Sequence, residues 1–330
     1  MKRLRMMGLG WLMMVFILGT VPALAGGNGG FAGAYLRIGL GAPGMAMGNA
    51  QVAMVGNGFS GYYNPAVLPF LTNPVASLSY SFMSLDRRFN YVGYARSLPP
   101  RGGFSIGWIY SGVDNIRAYN SRGEDVGEIL HGLHAVYFSF GLKIPTPLDQ
   151  DVTGDGSGLQ VLSFGISLKL LYERISDGEE FNYSGKGAGM DIGVLFHPLK
   201  SLWLGYQIRD INSKLKSNTN TIFERGSVLD NAFPLIQKAG IAWQLPVNWL
   251  RLAYDFEWST AGQEKHHFGL LAEGRGLAAR AGWDDGRLTL GGGMQVRVYK
   301  SVVVLLDYAF VDDLVGEGVS HVFSWQFLFK

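Results

Sequence analysis

The sequence predicts an all-β fold, a transmembrane antiparallel β-barrel of about 14 strands, and three observations carry that expectation. Apolar and polar residues alternate with a period of two through most of the chain after residue 72. The apolar face of each alternating segment is bulky and aromatic, whereas the other face is small or charged. The last segment puts His321, Phe323, Trp325, Phe327 and Phe329 on one face directly before the C-terminus. Composition agrees. Charged residues are only 16% of the chain, against roughly 25% in soluble proteins, while aromatics reach 13% and glycines number 47.

The first 25 residues read as a signal peptide. Lys2, Arg3 and Arg5 precede an uncharged stretch at 6–21 and the small-residue pattern Ala23-Leu24-Ala25. A membrane anchor is the competing reading, but the stretch is shorter than the ~20 residues a crossing needs, and Pro22 interrupts it. Removing those three cations takes the formal charge from +2 to about −1, and no basic patch replaces them. A nucleic-acid partner is therefore not expected. Cysteine is absent, so neither disulfides nor thiolate metal sites hold this fold.

Residues 26–72 break the alternating pattern. They hold eight glycines between Gly33 and Gly61 and no charge after Arg37, a composition that bends sharply and packs closely. A short helix is expected at 45–55, and Asn64-Pro65-Ala66 reads as a turn. Because barrel strands follow, the natural place for this segment is the lumen, as a plug. The division is thus 1–25 signal peptide, 26–72 plug and 73–330 barrel.

Fourteen alternating segments follow, near residues 75–84, 89–97, 103–113, 132–143, 159–174, 187–197, 201–211, 236–245, 248–258, 265–273, 276–283, 287–298, 301–310 and 320–330. Their connections are short at one end and mostly long at the other, with loops expected at 114–131, 175–186, 212–235 and 311–319. That asymmetry belongs to bacterial outer-membrane barrels. Facing follows from energy. Turning 249–258 over would put Arg251, Asp255 and Glu257 into lipid, where a central Arg alone costs ~2–4 kcal/mol. An open sheet would leave edge N–H and C=O groups unpaired, so the strands must close. The terminal Phe323, Trp325, Phe327 and Phe329 read as an assembly signal, although Lys330 follows the last Phe. The expected location is the outer membrane of a Gram-negative-type bacterium, with its lipid and the barrel-assembly machinery as partners.

The run Gly41-Ala42-Pro43-Gly44-Met45-Ala46-Met47-Gly48-Asn49-Ala50-Gln51-Val52-Ala53, followed by Tyr62-Tyr63-Asn64-Pro65-Ala66, resembles the N-terminal signature of PorV/PorQ-type outer-membrane proteins. Those are similar in turn to the FadL-type (OMPP1/FadL/TodX) transporters. Phe233-Pro234 and Ala279-Arg280-Ala281-Gly282-Trp283 extend the likeness, whereas Pro43, Gly56-Asn57 and Val67 depart from it. The resemblance implies a FadL-like barrel with an N-terminal hatch carrying Gly41, Met45, Met47, Gly48, Asn49, Asn64, Pro65 and Ala66. The preferred reading is the PorV side, which implies protein secretion or cell-surface delivery of the type IX kind, with secreted proteins bearing C-terminal sorting domains as partners. On the FadL side it implies passive transport of long-chain fatty acids or other hydrophobic small molecules.

No catalytic motif appears, and no enzyme or cofactor is expected. His131 with His134, and His266 with His267, invite a metal reading, but adjacent strand residues face opposite ways and no carboxylate completes a ligand set. Asp151, Thr153 and Asp155 start like a calcium loop, yet Leu162 stands where the ligand Glu belongs; a solvated turn is the simpler reading. Gly291-Gly292-Gly293 lacks the Lys-Ser/Thr of a phosphate loop and reads as a strand packed against the plug or sharply curved. Lys169, Glu173, Arg209, Arg251, Asp255, Glu257, Arg297 and Asp307 are the expected lumen charges, either a polar path for solutes or ion pairs among themselves and the plug.

Overall fold

The computed structural model describes residues 30–144, 161–177, 182–218, 227–312 and 318–330. The signal-peptide reading and the Asp151–Asp155 turn lie outside these residues. Antiparallel hairpins run through β1 (Val75–Phe82), β2 (Arg87–Leu98), β3 (Gly102–Tyr119), β4 (Asp125–Ile144), β5 (Val161–Ser176), β6 (Asn182–Leu199) and β7 (Leu202–Asn218). After β8 (Val228–Ala232) come β9 (Ile236–Gln244), β10 (Leu250–Ser259), β11 (Glu264–Gly274) and β12 (Leu277–Asp284). The chain ends with β13 (Arg287–Tyr299), β14 (Val302–Asp312) and β15 (Val319–Phe329).

Pairing of β1 with β15, from Val75↔Leu328 to Phe82↔His321, closes the sheet. The ring has 14 staves because β8 and β9 share one. β9 pairs with the first half of β7 and β8 with the second. The break falls at Phe233-Pro234, where proline has no N–H for the ladder. Closure satisfies the backbone polar groups that an open edge would leave bare. Among the described residues no helix is long and apolar enough to cross a membrane.

Alternation fixes which face looks inward. Along β5, Phe164, Ile166, Leu168 and Leu170 are exposed on the outside, while Ser163, Ser167, Lys169 and Leu171 are buried inside. Leu168 is 53% exposed and its neighbour Lys169 1%. The same inversion recurs on β15, where Phe323 and Trp325 are exposed and Ser324 and Gln326 are buried. From Phe164 to Tyr172 the apolar band is on the order of 20 Å tall, taking ~3.3 Å per residue and a ~40° tilt. Such an exterior suits hydrocarbon rather than water.

Three expectations differ from the structure. The loops expected at 114–131 and 212–235 are largely strand, since β3 and β4 run on to Tyr119 and from Asp125, and β7 reaches Asn218 with β8 beside it. Beyond the apolar band both faces of a strand meet water, so the period of two disappears although the pairing continues. The loop expected at 175–186 shrinks likewise, because β6 starts at Asn182. The helix expected at 45–55 is instead Ala42–Met45. Gly48 and Asn49 follow it with φ of 62° each, a left-handed conformation that ends a helix.

Candidate functional site

The short turns, at Leu98/Gly102, Gly274/Leu277 and Tyr299/Val302, share one end of the barrel with the C-terminus, since Lys330 N–H donates to Ser301 O at 2.8 Å. The long connections mark the other end. Residues 34–71 lie within the ring and are almost wholly buried. A 3-10 turn Ala34–Arg37, the helix Ala42–Met45, a second helical turn Ser60–Tyr63 and a 3-10 run Pro65–Phe70 give the segment its local order.

Glycines on facing strands cut its seats. Gly103, Gly141, Gly165 and Gly193 stand opposite one another across β3–β6, and the Asn64–Pro69 backbone lies in the trough they leave. A methyl group on Gly141 would stand 2.7 Å from Pro69 Cδ, and one on Gly193 3.0 Å from Pro65 Cδ, closer than carbon atoms approach. The pair Gly205 and Gly240 receives Val52, and the pair Gly269 and Gly282 receives Met47 and Gly48. Gly291 packs on Ala46. Because each seat needs glycines in register on two or more strands, no local motif announces it.

Polar clamps complete the seating. Asn64 caps the Pro65–Phe70 run by accepting from Ala66 N–H at 3.0 Å, and its amide donates to Val52 O at 2.7 Å and Val194 O at 3.1 Å. Gly48 N–H donates to Thr289 Oγ1 at 3.1 Å, while Gly48 O lies 2.9 Å from His267 Nδ1. Asn49 donates to Asp284 Oδ2 at 3.0 Å. Both Gln51 N–H and Val52 N–H donate to Asp255 Oδ2, at 2.8 and 3.0 Å. Met45 and Met47 are buried apolar contacts, and Gly41 packs against Phe59.

The eight expected lumen charges fall into separate groups. Lys169 pairs with Asp191 and Asp210, and the adjacent Arg209 donates to Leu36 O at 2.7 Å and covers the Tyr62 ring at 4.6 Å. Glu257 pairs with Lys238 at 3.0 Å and lies 3.6 Å from His267, close to Asp255. Asp307 pairs with Arg280 at 2.7 Å. Glu173 stands 4.0 Å from His131. Arg251 pairs with Glu273 and Gln244 near the short-turn end, where Arg297 is exposed. His266 and His267 face opposite ways, exposed and buried. Asp191, Asp210, Lys238 and Asp284 escape a reading based on alternation alone, because their partners are set by strand register.

Space inside is unequally distributed. Among Arg37, Asn49, Lys238, Glu257 and His267 only about 10 Å³ remains, room for one water. Toward the long-loop end a cavity of about 380 Å³ is lined mainly by Phe31, Tyr35, Leu133, Glu173, Leu215 and Phe233. Its walls are for the most part aromatic and aliphatic and also carry Glu173, Asn231, Tyr183 and Tyr35, whose hydroxyl donates to His134 O at 3.2 Å. An apolar wall with a few polar groups is the general make-up of small-molecule pockets.

Burial, and next the neighbouring Tyr62, push the Tyr63 phenol well above its ordinary 10.0; its hydroxyl accepts from Leu40 N–H at 2.7 Å and lies 2.9 Å from Asn49 Oδ1. Burial first, then Glu173, raises Tyr35 as well. A raised phenol stabilises the seated segment fully below the ordinary value, and that contribution falls as pH rises past about 10. Ion leak through reconstituted barrels is therefore expected to climb between about pH 9 and pH 11. A flat profile through pH 11 would show that these phenols do not hold the segment.

No protein-family profile and no curated protein matches this sequence. Solved structures do. The P. putida toluene transporter TodX aligns at TM-score 0.59 and 14% identity over 88% of this chain and 99% of its own. The CymD monoaromatic hydrocarbon channel gives 0.56 and 12% over 88% and 96%. A Pseudomonas aeruginosa FadL homologue gives 0.55 and 10% over 88% and 98%. At such identities the likeness is one of fold, and the fold is that of FadL-type transporter barrels.

Proposed function

We propose that this chain is a non-enzymatic outer-membrane barrel that passes small hydrophobic molecules across the membrane without an energy source, with residues 26–72 as its hatch. The observation that carries this reading is the cavity of about 380 Å³, lined mainly by apolar and aromatic side chains, inside a wall whose exterior is itself apolar. Its volume lies near the lower end of the usual range for ligand sites, roughly 300–1,000 Å³, which suits a single-ring hydrocarbon or part of an acyl chain. Solved structures sharing the fold include a toluene transporter and a monoaromatic hydrocarbon channel, which supports the same class of cargo. With only about 10 Å³ free beside Asn49 and His267, passage requires the segment to shift.

The secretion role drawn from the PorV/PorQ likeness has less support. Its signature residues at 41–53 and 62–66 lie in the seats and clamps described above, as a hatch of either kind would need. They therefore do not discriminate between the two functions.

Vesicles carrying the barrel are expected to take up labelled toluene or alkane faster than vesicles carrying an unrelated barrel. Leu133→Trp, which fills the cavity, should return uptake to the control rate. Equal uptake by wild type and control would remove the transport reading.

A further inference from the structure

We infer that the outer wall of β5–β7 carries a binding site for the phosphate groups of lipids in the leaflet on the long-loop side. On β5 the outward residues run Phe164, Ile166, Leu168, Leu170 and Tyr172, and the next is Arg174. On β6 they run Phe196, Val194, Ile192, Met190 and Ala188 to Lys186. On β7 the outward, exposed residues of the second half include Lys214 and Lys216. Three adjacent strands thus pass from hydrocarbon-like side chains to cations at the same end of the barrel.

Strand register brings those cations together. Lys186 stands directly opposite Lys216, with Lys214 and Arg174 one step diagonal to it. All four are exposed on the outer face. Like charges directly opposite across a sheet are destabilising, and an anion between them reverses the sign. Among the described residues the ion pair these cations make is peripheral: Lys216 Nζ lies 3.8 Å from Asp230 Oδ1, on the side away from Lys186.

Neighbouring aromatics mark the depth. Tyr172 stands directly opposite Lys186 and is the next outward residue from Arg174 on β5, and its ring lies 6.0 Å from that of His134, which faces it on β4. Aromatic groups of this kind sit at headgroup level. Cations at that level attract anionic lipid headgroups, and a phosphate between Lys186 and Lys216 meets donors from both, with Arg174 able to offer a forked pair. The occupant is a membrane lipid rather than a soluble anion, since the cations continue the apolar band that its chains would cover.

The test uses the full-length barrel in mixed micelles containing a bisphosphorylated glucosamine lipid, with binding followed by native mass spectrometry. Wild type is expected to retain this lipid over phosphatidylcholine and over the same lipid stripped of phosphate, and inorganic phosphate at equal concentration should not displace it. The double substitution Lys186→Gln with Lys216→Gln should weaken retention about tenfold, and Lys186→Arg with Lys216→Arg should preserve it. Heat-modifiable gel mobility reports that each variant is folded. Unchanged retention in the folded Gln variant, equal retention of the dephosphorylated lipid, displacement by inorganic phosphate, or a change only in oligomeric state would each overturn the inference.

Discussion

Replacing Lys169 by methionine is expected to cost about 3–5 kcal/mol of barrel stability, the penalty for leaving a buried charge without its partner. The Lys169 side chain is fully buried, with its ammonium 2.7 Å from Asp191 Oδ1 and in contact with Asp210. Asp191 Oδ1 also accepts from Asp210 N–H at 2.8 Å, and Asp210 has a left-handed φ of 62° at an irregular step of the β6–β7 ladder. Loss of the ammonium leaves two buried carboxylates facing each other, with Arg209 the nearby cation. Since Arg209 holds the Leu36 carbonyl and covers Tyr62, its recruitment to them would loosen the segment as well. Urea unfolding in lipid vesicles measures the loss. The neighbouring Leu168→Met, on the lipid face, should change stability by less than about 1.5 kcal/mol. Equal effects at the two positions would mean that Lys169 is not the partner of those carboxylates.

The second large effect is expected from Gly165→Val. A side chain there would enter the trough across β3–β6, with its first carbon 2.8 Å from Pro65 Cβ and against the Ala66 backbone. Ordinary overpacking costs about 1–3 kcal/mol. Here the obstacle is backbone, so the segment rather than a rotamer must give way. The expected result is a folded barrel with raised ion conductance in planar bilayers. Gly292→Ala is the control, since its added carbon would meet nothing nearer than 3.8 Å and should leave conductance unchanged. If both variants conduct like wild type, the segment does not close the lumen at this seat.

The wall of the barrel was legible because lipid-facing and lumen-facing residues obey a strict parity. Leu162 to Tyr172 reads correctly from the sequence, residue by residue. The segment was legible in outline, through Asn64-Pro65-Ala66 and the glycines at 33–61. Its seats were not. Gly103, Gly141, Gly165 and Gly193 look like four unrelated small residues until strand register sets them side by side. Partners of the lumen charges were hidden for the same reason, because alternation says that Lys169 points inward but not that Asp191 and Asp210 meet it. Strand extensions beyond the apolar band escaped because water on both sides erases the pattern.

The inverted facing of the wall is tested most directly with single thiols, which are unique in a chain without cysteine. Cysteine is placed at Ile166, Leu168 and Leu170, and separately at Ser163, Ser167 and Leu171, and each is spin-labelled in vesicles. Oxygen, which concentrates in lipid, is expected to relax the first three labels far more than a water-soluble nickel chelate does, while the second three are shielded from lipid. Chelate access at 166, 168 and 170, or lipid exposure at 163, 167 and 171, would contradict the arrangement on which the cavity, the hatch and the lipid site all rest.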